Sequence, residues 1–102
     1  MMLDMEILAA DRRLRILQLL AEAPGYMLNL PALKAALARV GHWASSELLE
    51  SDLAWMKTED LVEMHRNSGL VVAELSQRGM DAASDPVRVP GVRRPEPGEC
   101  RA

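Results

Sequence analysis

The stretch 45–75 limits the fold more than any other part of the chain. Its first half reads Ser-Ser-Glu-Leu-Leu-Glu-Ser-Asp-Leu-Ala-Trp-Met, and Leu49, Leu53 and Met56 recur in it at steps of four and three, flanked by Leu48 and Trp55. That spacing predicts a helix with one buried face, ending near Glu59. The period then changes. Leu61-Val62-Glu63-Met64-His65-Arg66 and Leu70-Val71-Val72-Ala73-Glu74-Leu75 are β-prone runs on either side of Asn67-Ser68-Gly69. They predict an antiparallel hairpin bending at Gly69.

The flanking segments complete the pattern. Over 3–23, Leu3, Ile7, Ala10, Leu14, Leu17 and Ala21 form one helical stripe. Asp11 would alternatively cap a separate helix starting at Arg12, so one helix or two remain open. Ala23-Pro24-Gly25 stops that helix, and Tyr26-Met27-Leu28 is suited to a short strand. Asn29 caps a second helix with Pro31 in its first turn, apolar through Leu30, Leu33, Ala36, Leu37 and Val40 and closed by Gly41. Ser45 or Ser46 caps the third, and Ser76 caps a short last helix over 77–83 in which Gly79 permits close packing. A helix passing directly into a hairpin behind two earlier helices outlines a winged helix-turn-helix. The expected fold is α+β, with three to four helices and a small antiparallel β-wing over residues 1–85. Pro86, Pro90, Gly91, Pro95, Pro97 and Gly98 predict an extended Pro/Arg-rich tail over 86–102.

Charge narrows the function. The 102 residues carry a net charge of −3. Residues 1–85 hold 8 basic and 13 acidic side chains, giving −5, while 86–102 hold 4 and 2, giving +2. An acidic domain repels a phosphate backbone unless its cations gather on one face. The single Cys100 makes no internal disulfide, and no apolar run approaches the ~20 residues of a membrane span. The expected location is cytoplasmic, with no membrane partner. No His pair, Cys-His pair, Gly-rich phosphate loop or metal-ligand spacing occurs. The expectation is a non-enzyme without metal or cofactor, with His42 and His65 structural or at the surface.

If the fold reads DNA, Ser45, Ser46, Glu47, Glu50 and Ser51 would face the groove, and Arg66 and Asn67 would sit at the wing tip. Opposite the buried row, however, the third helix presents Glu47, Ser51, Ala54 and Thr58, with none of the Arg, Lys, Asn or Gln usual for base contacts. Arg12, Arg13 and Arg15, and the tail's Arg88, Arg93, Arg94 and Arg101, are further sources of positive charge. Asp52 lies beside the buried row and calls for a salt bridge to Arg12, Arg13 or Arg15. Trp43 and Trp55 suit either core or a subunit contact. Leu3, Ile7, Leu8 and Met80 are the expected contacts of a homodimer, with Ala83 beside them.

In combination, the runs from Asp11 to Tyr26 and from Ser51 to Met56, the corner from Leu75 to Gly79, and the tail from Arg88 to Pro95 resemble small winged-helix proteins of Mu-like prophages. These are labelled ArsR-like by fold analogy, which implies a dimeric DNA-binding transcriptional regulator. The ArsR metal-sensing pattern is not met, since no Cys-x-Cys occurs. Genes of this family lie among phage head and packaging genes. The leading expectation is a dimeric DNA-binding regulator of the phage, with a protein-interaction module in assembly or DNA packaging as the alternative.

Overall fold

The computed structural model describes residues 2–84 and 87–99, with side chains from residue 5 onward. The boundary expected at Pro86, the positions Cys100 and Arg101, and the side chain of Leu3 lie outside this range. Four helices and three strands follow in the order α1 (Met2–Glu22), β1 (Met27–Asn29), α2 (Leu30–Arg39), α3 (Ser46–Thr58), β2 (Val62–Asn67), β3 (Leu70–Leu75) and α4 (Gln77–Ala83). The helix over the first stripe is single, so Asp11 caps nothing and lies within α1.

Caps set most of the boundaries. The Asn29 side chain accepts from the Ala32 N–H, that of Ser45 from Leu48, and that of Ser76 from Gly79. At the C-terminus of α2, Gly41 takes a positive φ, and the N–H groups of Gly41 and His42 donate to the carbonyls of Ala38 and Leu37. The same two-bond closure ends α3, but there Asp60 rather than glycine adopts φ of 62°. Ser68 and Gly69, both at positive φ, form the two-residue turn that joins β2 to β3 and sets Asn67 opposite Leu70.

The sheet order is β1-β3-β2, all antiparallel, so the short strand after α1 closes the wing from its inner side. Val62, Val71, Ala73 and Leu75 turn inward and join Leu49, Leu53 and Met56 of α3, Leu33 and Leu37 of α2, and Ile16, Leu17 and Leu20 of α1 in one core. Burying each of these larger side chains stabilises the fold by about 1.5–3 kcal/mol before entropy is counted. Gly79 is required where α4 crosses the start of the wing. A Cβ there would stand 2.1 Å from the Leu61 carbonyl oxygen.

Residues 87–99 contain no helix or strand and lie against the body. Val89 and Pro95 are buried, and the Arg93 N–H donates to the Ala10 carbonyl. The segment is a strap laid across α1. No helix among the described residues is long and apolar enough to cross a membrane.

Candidate interaction surface

Two polar clusters fix the surface around α1 and α3. In the first, Asp52, only 3% exposed, turns inward from α3. Its carboxylate accepts from Arg12 Nε and Nη2 at 2.5 and 3.2 Å and from Arg13 Nε at 3.2 Å. Arg13 also stacks on the Trp55 ring, 4.5 Å from its centroid, and donates to the Gly91 carbonyl of the strap. Trp55 is therefore half-buried under an arginine and a glycine corner.

In the second cluster, Arg93 of the strap bridges Asp11 of α1 and Glu99. His42, in the α2–α3 turn, is 2.6 Å from the other Asp11 oxygen. Arg15 lies 3.4 Å from Glu99. Burial alone pushes the Asp11 carboxyl up, but the hydrogen bonds with His42 and Arg93 outweigh it and hold the group below its usual range. The hydrogen bond from Arg93 is the main cause that draws Glu99 down to about 2, against the opposing effect of burial. In turn, the hydrogen bond to Glu99 raises Arg93.

Arg12, Arg13, Arg15 and Arg93 thus turn onto Asp52, Asp11 and Glu99; four guanidinium groups, 13–34% exposed, share three carboxylates, so all but one of their charges are balanced there. Sequence reasoning anticipated Asp52 but not Asp11 or Glu99, whose partners lie 31, 82 and 6 residues away, at no helical or strand spacing.

The face expected to read DNA is open. Ser45, Ser46, Glu47, Ser51, Ala54 and Thr58 are exposed and Glu50 is half-buried. Arg66 and Asn67 are exposed at the wing tip, beside the β2–β3 turn. Lys57, at the far end of α3, is the exposed cation on that helix. Of the expected dimer contacts, Ile7 and Leu8 are exposed, whereas Met80 is half-buried against the core and the adjacent Ala83 is covered.

The most exposed large apolar side chain is Trp43, at 84%. It stands in the turn between α2 and α3, held from behind by the His42–Asp11 contact. Beside it runs a shallow groove of about 620 Å³, floored by Pro31, Ala35, Ala38 and Ala44, with Lys34 at its rim. Small side chains on the outer face of α2 leave the room, and the indole forms one wall. The turn position of Trp43 is legible in the sequence, but its outward direction is not.

No protein-family model matches the chain. It is similar to "Uncharacterized protein gp26" of Escherichia phage Mu, 35% identical over 92 residues that cover 90% of this chain and 95% of that protein. An uncharacterized protein of Haemophilus influenzae is 34% identical over 74 residues, or 72% of each chain. Neither name states an activity. Among solved structures, human N-acetylserotonin methyltransferase in complex with SAM superposes with a TM-score of 0.55 at 25% identity. That match covers 78% of this chain but only 21% of the enzyme. The fold is a winged helix. With relatives of this identity and coverage, the chain belongs to the family of phage Mu gp26.

Proposed function

We propose that this winged helix is a protein-docking module of the phage, acting in assembly or DNA packaging, and neither an enzyme nor a reader of base sequence through α3. One observation carries the reading: the arginines that would have supplied a phosphate-binding face are engaged by Asp52, Asp11 and Glu99 within the fold. Phosphate affinity depends on cations that exchange counter-ions with DNA, and cations already paired inside the fold contribute little of it. The outward face of α3 instead carries Glu47, and the strands beside it carry Glu63 and Glu74.

The Trp43 groove supports the positive half of the reading. An exposed indole beside an alanine-floored groove is the kind of anchor around which protein interfaces concentrate their binding energy. Lys34 at the rim favours a partner segment with an apolar anchor flanked by a carboxylate. The likeness to a segment of a methyltransferase fits a winged helix used for something other than operator recognition.

DNA-binding regulation, ArsR-like without metal sensing, is the second reading. The exposed serines at the start of α3 and Arg66 and Asn67 on the wing favour it. A gel shift on phage DNA separates the two. The proposed function predicts no specific complex at about 50 mM salt. A shift at that salt, lost steeply by about 200 mM and weakened by Arg66→Ala, would establish the regulator instead.

A further inference from the structure

The first turns of α1 extend past the body. Met5, Glu6, Ile7 and Leu8 are all exposed. These four residues make about one uncovered turn, and an uncovered stretch this apolar calls for a covering surface. On a helical projection at ~100° per residue, Glu6, Ala9, Ala10 and Arg13 share one stripe, pointing the same way as the buried Leu17 and Leu20. This stripe is the core face of α1 continued beyond the core. A groove of about 620 Å³ opens along it, with Met5 and Ile7 at its edges and Gly91 of the strap closing one end. Leu8 projects from the opposite side of the helix.

We propose that a second copy of this chain fills the groove, its α1 crossing antiparallel about a two-fold axis near Ala9 and Ala10. Charge selects this occupant. The groove has a carboxylate, Glu6, at one end and a guanidinium, Arg13, about 10 Å further along the helix. An antiparallel copy sets each Glu6 against the other Arg13. A parallel copy would set like against like. Ala9 and Ala10 at the crossing let the two helices approach closely, and Met5 and Ile7 of each chain flank it, opposite the 12–14 turn of the other copy. Arg13 shares the single carboxylate of Asp52 with Arg12, which leaves one positive charge for Glu6, and Trp55 and Gly91 already hold its guanidinium in place. A contact confined to a few helical turns lies at the small end of interface sizes, where weak and transient contacts are found. The Trp43 groove is lined by other residues and takes no part in it.

Sedimentation equilibrium on the full chain at tens to hundreds of micromolar tests the inference, with circular dichroism to verify folding. The wild type should show a monomer–dimer equilibrium. Met5→Lys, which places a cation beside the other copy's Arg13, should raise the dissociation constant at least about tenfold. Glu6→Lys should raise it about fivefold, because Arg13 then faces a like charge. Leu8→Glu alters an equally exposed apolar residue on the wrong side and should leave it unchanged. A wild type that stays monomeric throughout that range overturns the inference. So does a Leu8→Glu variant that dissociates as readily as Met5→Lys, since the contact would then use the other face of the helix. DNA binding or its absence bears on the function above and not on this result.

Discussion

Removing the Asp52 carboxylate should cost this domain a large share of its stability. The carboxylate is 3% exposed and accepts three hydrogen bonds from two guanidinium groups. In Asp52→Ala those bonds vanish, and Arg12 and Arg13 are left facing each other with no counter-charge. Breaking one side of a buried ion pair typically costs 3–5 kcal/mol. Here the two arginines remain 13% and 23% exposed, so water recovers part of the loss, and about 3 kcal/mol is expected. For a domain of this length that lowers Tm by roughly 12–24 °C. Asp52→Asn keeps the shape and one acceptor oxygen but not the charge, and should lose about half as much. Urea unfolding followed by circular dichroism gives the free energies, and a double-mutant cycle with Arg12→Ala isolates the coupling. An Asp52→Ala loss below about 0.5 kcal/mol, typical of a surface pair, would refute the reasoning.

Three other perturbations have definite signs. Gly79→Ala improves intrinsic helix propensity, yet its Cβ would meet the Leu61 carbonyl oxygen and Leu75 Cδ1, so urea unfolding should show a loss of about 2–4 kcal/mol. Asp60→Gly should gain about 0.5–1 kcal/mol in the same assay, because it removes the side-chain penalty at φ of 62° and keeps the carbonyl that accepts from the Ser76 hydroxyl. Glu99 has its folded pKa depressed to about 2 from 4.5, so its contribution is complete above pH 4.5 and is lost as pH falls from there through about 2. With solvent screening allowed for, acidification from about pH 6 to about pH 2 should remove about 1–2 kcal/mol more from the wild type than from Glu99→Gln, read from urea midpoints at each pH.

The architecture was legible in the chain because its signals are local. Asn29, Ser45 and Ser76 cap the helices expected of them, the 45–75 stretch turns from helix to hairpin where its period changes, and Leu49, Leu53 and Met56 are fully buried. The surface was less legible because it depends on partners far apart in sequence. Asp11 at a helix start reads locally as a cap, but its ligands are His42 and Arg93. The prolines and arginines of 87–99 suggest a solvated end. Val89 and Val92 pack against the core all the same, with no periodicity to announce them. The Asp52 bridge could be inferred, since a carboxylate beside a buried row requires a cation and three arginines lie on one helix. Whether those arginines were free for DNA depended on Glu99 as well, and nothing in its neighbourhood ties it to α1.

Photo-crosslinking in cells producing the phage addresses the central claim most directly. A photoreactive phenylalanine analogue would replace Trp43 in one variant and Ser51, on the outward face of α3, in another. Both sites are exposed, so neither replacement should disturb the core. The account predicts a discrete protein adduct from position 43, abolished when Lys34 is also changed to Glu, and no DNA adduct from position 51. DNA crosslinked from position 51, with position 43 yielding no protein adduct, would contradict it and return the outward face of α3 to the role of reading DNA.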